Sequence, residues 1–229
     1  FTYFGIHVLR REIIFVDLSL AQLAALGTTV AFVMDMEPDS VASLVLSLVF
    51  VLIGAAFFAC IRVLSPRVSQ EAVIGIVYVA GASLAILVVD RSPHGAEHIK
   101  NALNGSILWL TGMDVLKLTL VTILVAGVHW VYRKKFFELS VVRHDNASSN
   151  RVLGDFVFYL TLGLVIVFSV KTAGVYLIFT FLIIPAVCGA LLADSLVMQF
   201  ILGATVGVVG SIAGLVLSFY YDLPTGAAL

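Results

Sequence analysis

Residues 90–112 read DRSPHGAEHIKNALNGSILWLTG and lie between two long apolar runs. Asp90, His94, Glu97 and His98 fall within nine residues there, and two of the chain's five histidines are among them. Imidazole and carboxylate without thiolate suit zinc, manganese or iron(II). On a helix, His94 and His98 share one face, because side chains four apart stack above one another. Residues 94–98 also fit the H-x-x-E-H string of one metalloprotease class, but no third ligand or catalytic cleft can be identified. The plain alternative is a solvated helix start after Pro93, which Gly95 weakens. A second polar pair, Asp17 and Gln22, sits within an apolar run. Ionisable groups in such runs are costly and are usually functional. These two either line a hydrophilic path or hydrogen-bond a neighbouring helix.

The elements that must hold these groups are membrane spans. Of the 229 residues, 61% are hydrophobic and only 12% charged, with a mean hydropathy of +1.12, far from an ordinary globular domain. Apolar runs of about 18 residues or more recur, each long enough to cross ~30 Å of hydrocarbon as a helix. The predicted spans are 13–34, 41–64, 71–89, 114–132, 156–170, 174–193 and 196–221, after a half-span over 1–9. The 156–170 and 174–193 runs are joined by a tight turn at Lys171, which snorkels to the head groups. The fold class is an all-α polytopic membrane protein, one transmembrane domain of about seven to nine helices. The sequence pattern predicts a first helix that is partial and a last one that is missing.

Basic residues set the orientation. Arg10, Arg11, Arg62, Arg67, Arg133, Lys134, Lys135, Arg143 and Arg151 fall on one side if the loops alternate. The positive-inside rule places the 10–12, 65–70 and 133–154 loops in the cytoplasm. The acidic 35–39 loop, the 90–112 stretch and the Asp222 end then face outward. Trp109 and Trp130 fit interfacial positions, and His129 reads as an interfacial histidine. Asp114 and Lys117 are placed to pair.

Other chemistry is excluded or bland. A net charge of −1 leaves no nucleic-acid footprint. There is no GxxxxGK[ST] loop, so ATP hydrolysis needs a separate chain. Cys60 and Cys188 lie inside apolar runs and read as small buried side chains, with no disulfide or zinc framework. Gly203/Gly207 and Gly210/Gly214 form small-xxx-small pairs that let helices approach closely.

Residues 170–186, VKTAGVYLIFTFLIIPA, resemble the permease subunits of ABC-type importers of zinc, manganese and iron, whose helices read like VKxxGxLLxxxLLIxPA. Arg10-Arg11 followed by LAQLAALG (20–27) looks like the family's LSHAxLPG stretch. EAVIGI (71–76), GSIL (105–108) and LSFYYDLPTG (217–226) also match family positions. The likeness runs in order along nearly the whole chain. Two departures stand out. Gln22 replaces the usual histidine of LSHA, and the usual aspartate of GDxLSH aligns with Leu18, one residue after Asp17. The cytoplasmic loop is also a few residues shorter around Asn146 to Leu153.

The resemblance implies import powered by a partner. A solute-binding protein delivers a divalent metal ion to the outer face. Two permease chains form the pathway in a bacterial or archaeal cell membrane, and ATPase subunits switch its access. No permanently bound cofactor is implied; the metal is cargo. His94, Glu97, His98 and Asp90 are the candidate metal ligands, and Asp17 and Gln22 the candidate path. Segment 133–155, with Arg143, Asp145, Ser148 and Ser149, is the candidate ATPase-docking segment. A secondary transporter remains the alternative, needing its own coupling-ion path at discontinuous helices; an intramembrane metalloprotease using residues 94–98 is a remoter one. The orientation is testable: a cysteine in the 35–39 loop is labelled from outside by an impermeant thiol reagent and one at Ser148 is not. The reverse pattern of labelling would overturn it.

Overall fold

In the computed structural model, the described residues are 1–37, 40–64, 68–90, 92, 95–105, 107, 110–141, 149–223 and 228–229. They form α1 (Thr2–Arg11), α2 (Val16–Val33), α3 (Val41–Leu64), α4 (Gln70–Val89), α5 (Gly95–Asn104), α6 (Gly112–Val131), α7 (Arg133–Val141), α8 (Ser149–Leu192) and α9 (Leu196–Tyr221). Among the described residues, six helices are long and apolar enough to cross a membrane. Their apolar side chains also face outward: Leu87 is 69% exposed, Leu191 80% and Phe219 84%. Such a surface is stable only if the surrounding solvent is lipid. The same logic corrects the reading of Cys60. It is a free thiol on the exposed face of α3, not a buried one, and Cys188 is half-buried. In lipid, an apolar run no longer distinguishes inside from outside.

The longest helix is two spans. Gly174 has φ 79° and ψ 162° within α8, a region open essentially to glycine alone. Phe4 packs on Phe158 with ring centroids 5.8 Å apart, while a Cβ on neighbouring Gly5 would strike the Leu182 carbonyl. A straight helix would separate residues 158 and 182 by ~36 Å. The chain therefore folds back at Gly174, and both arms pack on α1. The predicted turn at Lys171 lies three residues too early, because Lys171 still belongs to the first arm. Gly105, at φ 68°, closes the hairpin from outside: a Cβ on either glycine would run into the backbone of the other's segment.

α2 is the central helix. It runs parallel to α4: the Phe15 N–H donates to Glu71 Oε1 (3.1 Å), Ser19 Oγ donates to the Ile74 carbonyl (2.8 Å), and Gln22 lies beside Gly81. At the basic end, Gln70 Nε2 donates to the Phe58 carbonyl (3.0 Å) and to Tyr159 Oη (2.7 Å), tying α3, α4 and α8 together. Arg11 pairs with Asp155 there at 2.7 Å, both largely buried, with its guanidinium 3.9 Å above the Phe158 ring. The core joins α1, α2, α3 and α8 through Val8, Leu20, Phe58, Phe158, Leu162 and Leu182.

Two local readings change, and Asp114, within electrostatic reach of Lys117 as expected, gains a further partner. His129 is not interfacial but 5% exposed, with Nε2 2.8 Å from Thr161 Oγ1 and Nδ1 3.2 Å from Tyr3 Oη. Phe136 of α7 stacks on it at 4.3 Å, which burial against a helix turned back under the bundle makes possible. Asp114 closes a capping box with Thr111 at the start of α6, its Oδ2 accepting from Thr111 Oγ1 at 2.6 Å. The 133–155 segment, read as a cytoplasmic loop, is helical at 133–141 and again from 149.

Gly174→Ala tests the hairpin. The alanine must adopt a glycine-only conformation at a cost of ~1–3 kcal/mol, and its Cβ meets the Asn104–Gly105 backbone. Thermal unfolding in detergent should show a clearly lowered midpoint, whereas Gly75→Ala, with open space around it, should leave the midpoint within a degree or two of wild type.

Candidate functional site

The ends of α2, α3, α5 and the first arm of α8 that lie away from the Arg11–Asp155 pair, the side expected to face outward, enclose a cavity of about 310 Å³. Its polar lining comes from Thr28 on α2, Ser43 and Ser47 on α3, His98 and Asn101 on α5, and Lys171 on α8. Each position follows from helical spacing. His98 and Asn101 are three apart and share a face, as do Ser43 and Ser47, four apart. Thr28 Oγ1 donates to the Ala25 carbonyl (2.8 Å) and Ser47 Oγ to the Ser43 carbonyl (3.2 Å). Both hydroxyls keep lone pairs free to accept.

His98 is the best-defined group. Its ring stacks on Phe32 with centroids 4.5 Å apart and planes 14° from parallel. Its Nε2 is buried with no hydrogen-bond partner. Burial lowers its pKa below the ordinary 6.5, because desolvation penalises the imidazolium. A neutral imidazole presents either a lone pair or an N–H at that nitrogen, according to its tautomer, and the lone-pair form is the one a metal ion or a proton donor needs.

Glu97 precedes His98 by one position, about 100° around α5, and is exposed while His98 is half-buried. Asp90 caps the C-terminus of α4 and is exposed. His94 lies outside the described residues, immediately before α5 opens at Gly95. Among the described residues, no three of His, Cys, Asp and Glu come together.

Below the cavity, α2 continues as a column of small buried residues. Ala21, Ala24 and Ala25 are 1%, 2% and 4% exposed, and Ala24 forms the cavity floor. Asp17 lies seven residues earlier, on nearly the same face and ~10 Å deeper. It is 1% exposed, and neither carboxylate oxygen makes a hydrogen bond; the backbone N–H groups of Asp17 and Leu18 and the Glu71 carboxylate are its polar neighbours. Glu71 Oε2 is likewise buried and unpartnered. Gln22, 6% exposed, lies ~140° around the helix from Asp17 and faces Gly81 of α4. The two predicted path residues therefore sit on different faces of α2.

Sequence reasoning missed Thr28, Ser43, Ser47 and Asn101 as cavity residues, and Glu71 as the partner carboxylate. Serines and threonines in apolar runs bond their own helix, so nothing in their spacing separates a lining hydroxyl from a packed one. Lys171 was placed at the head groups; it is exposed but also lines the cavity. Of the docking candidates, Arg143, Asp145 and Ser148 lie outside the described residues, and Ser149 opens α8.

A family comparison matches residues 3–229 to the ABC 3 transport family. The chain belongs to that family. Similar proteins include the manganese transport system membrane protein MntC of Listeria innocua, 29% identical over 187 residues, which cover 77% of this chain and 66% of that protein. The probable iron transport system membrane protein of Haemophilus influenzae is 24% identical over 190 residues, again 77% and 66%. The chain thus matches just under two thirds of these relatives' length. The solved structure of PsaBC from Streptococcus pneumoniae in complex with Fab superposes with a TM-score of 0.76 at 20% identity, covering 99% of this chain and 80% of that one. The all-α bundle is therefore the fold of an ABC 3 member, and the protein is an integral, multi-pass membrane protein.

His98 gives this ABC 3 protein a pH signature with a fixed sign. The folded value is depressed below 6.5, so the unfolded chain takes up the proton first. The neutral ring's contribution to stability is present above pH 6.5 and is lost as pH falls through the folded value. Histidine-selective NMR should show one imidazole, absent in His98→Gln, titrating below 6.5. A midpoint at or above 6.5 would contradict the burial of the ring.

Proposed function

We propose that this chain is the membrane subunit of an ATP-driven importer of divalent metal ions, with manganese and iron favoured as cargo. The observation that carries the reading is vertical alignment on α2. A polar outer cavity with an open imidazole nitrogen stands above a buried, unpartnered carboxylate, in a chain of the ABC 3 transport family. A buried unpaired carboxylate costs several kcal/mol unless it is neutralised or meets a cation. Such a group is a receptor for positive charge.

Each group has its place in the import cycle. An extracytoplasmic binding protein presents the ion at the 90–98 stretch, where Asp90, His94, Glu97 and His98 receive it. Asp90 and Glu97 are exposed and do not line the cavity, whereas His98 does, so in this reading the ion exchanges surface carboxylates for an imidazole as it moves inward. Oxygen and nitrogen ligands hold manganese or iron(II) without the tight grip of thiolate, which lets the ion leave again. The alanine layer separates the cavity from Asp17. Passage requires α2 to part from α3, α4 and α8, and the ion then meets Asp17 with Glu71 beside it. Gln22 supports the α2–α4 contact and supplies an amide to the opened path.

The driving step belongs to other chains. A cytoplasmic ATPase subunit docks on the 133–155 segment, where Arg143, Asp145, Ser148 and Ser149 are the contact candidates. Phe136 carries movement of α7 to His129 and thence to α1 and α8. A second copy of the permease completes the assembly in a bacterial cell membrane. The chain itself hydrolyses nothing.

Uptake of radioactive manganese or iron into vesicles holding the chain with its ATPase and binding protein tests the reading. Asp17→Asn should reduce uptake at least tenfold while assembly persists. His94→Ala combined with His98→Ala should raise the half-saturating concentration by roughly tenfold, the scale of perturbing a metal site. Metal uptake that ignores Asp17→Asn and the double variant alike would refute the path. No ATP-dependent uptake of any divalent cation by the wild type would refute the importer.

A further inference from the structure

The junction of α6 and α7 exposes aromatic and basic side chains in an order that matches the edge of a bilayer. α6 ends at Val131, and Tyr132 leaves the helix at φ −93° and ψ 12°. Trp130 is 71% exposed and Val131 75%, with Tyr132 exposed as well. Arg133 and Lys134 follow, both exposed, and then Lys135, half-buried. Aromatic rings settle at the boundary between hydrocarbon and head groups, and cations directly beyond them stand at the level of the phosphates.

The packing of α7 holds this order in place. Phe136 stacks on His129 of α6 at 4.3 Å, and Leu139 fills the space beside Gly154 of α8. These two side chains, three apart, bind one face of α7 to the bundle. Arg133 and Phe137, four apart, share another face, and both are exposed. The Arg133 guanidinium lies 4.7 Å from the Trp130 ring centroid, a cation–π contact that orients it and leaves its N–H edge available. No acidic side chain pairs with Arg133, Lys134 or Lys135 among the described residues. Adjacent like charges at a hydrocarbon boundary repel more strongly than in bulk water, and an anion shared among them relieves that repulsion.

We propose that this junction binds the head group of an anionic phospholipid, in the leaflet on the Arg11–Asp155 side. The phosphate is held by Arg133 and Lys134, and the acyl chains lie against Trp130 and Val131. A guanidinium offers a planar fork that matches two phosphate oxygens, and an ammonium adds a point charge. A soluble anion uses the cations alone, whereas a phospholipid also covers the exposed aromatic and apolar side chains beside them. The ATPase-docking candidates begin at Arg143, so the lipid surface precedes them along the chain. The inference does not depend on what the protein transports.

Trp130 is itself the reporter. The chain has two tryptophans, and Trp109→Phe leaves Trp130 alone. The full chain with this change is placed in phosphatidylcholine vesicles containing phosphatidylglycerol or phosphatidylcholine brominated on the acyl chains, whose bromines quench indole fluorescence on contact. Brominated phosphatidylglycerol should occupy the site at least tenfold more effectively than brominated phosphatidylcholine. Each cation near an anionic surface contributes about fivefold in affinity, so Arg133→Gln with Lys134→Gln should bring the two lipids within roughly twofold of each other. Arg133→Lys with Lys134→Arg keeps the charge and should keep the preference. Equal quenching by the two lipids before any cation is removed overturns the proposal, as does a preference that survives the double glutamine variant. If that variant does not reconstitute, Lys134→Gln alone should lose about fivefold, and no loss overturns the proposal. Millimolar inorganic phosphate, compared with sodium chloride of equal ionic strength, should leave the preference unchanged. If phosphate abolishes it, the cations hold a free anion and the lipid assignment fails. Protection of Trp130 from both brominated lipids by added ATPase subunit would assign the surface to a protein partner and likewise overturn it.

Discussion

The contact between two glycine backbones governs the outer half of the molecule. Gly174 reverses α8 and Gly105 directly follows the last residue of α5, both at positive φ, and each leaves no room for a Cβ on the other. In lipid, a helix can be broken only where the freed backbone groups are shielded or satisfied by protein. Gly105 provides that cover. The same contact seats α5 against α8, which is why His98 and Lys171, distant in sequence, face one cavity. Remove the close approach and the short amphipathic α5 has no fixed height or rotation.

The inner half depends on different physics. Buried charge and aromatic rings fix it: Arg11 with Asp155 and the Phe158 face, His129 between Tyr3, Thr161 and Phe136. A paired, hydrogen-bonded buried charge specifies one geometry more strictly than apolar contact, whatever its net contribution to stability. α7 is thereby held to the membrane bundle through one fully buried side chain, Phe136. The two halves thus differ in what orders them. The outer one is organised around a cavity, the inner one around interlocked rings.

Much of this could be read in the sequence. The bounds predicted for α3 and α9, 41–64 and 196–221, coincide with the helices, because apolar length and flanking charge are what membrane insertion itself measures. The alternation of sides deduced from arginine and lysine agrees with the ends that the Gln70 and Arg11 contacts bring together. Rotation about each helix axis was not legible. With apolar residues on every face, the patterning that marks a buried stripe in water is absent, so His129, Cys60 and the cavity hydroxyls could not be assigned. The turn at Lys171 was misplaced because a charged residue is a stronger signal of an interface than a glycine is of a reversal. Of the site, the histidine–carboxylate stretch and Asp17 stood out through their cost in an apolar run, while Glu71, at a helix start, looked like an ordinary first-turn acid.

The alanine layer on α2 has a consequence for the membrane that contains it. A passage wide enough for a metal ion is wide enough for water, and a continuous file of water would carry protons across an energised bilayer. Ala21, Ala24 and Ala25, each almost wholly covered, offer no hydrogen-bonding group to such a file between the cavity floor and Asp17. Helices meeting through methyl groups can lie close when shut and separate without breaking a polar bond. On the import reading proposed above, the layer acts as electrical insulation made of small side chains, closing the path to water when the helices lie together.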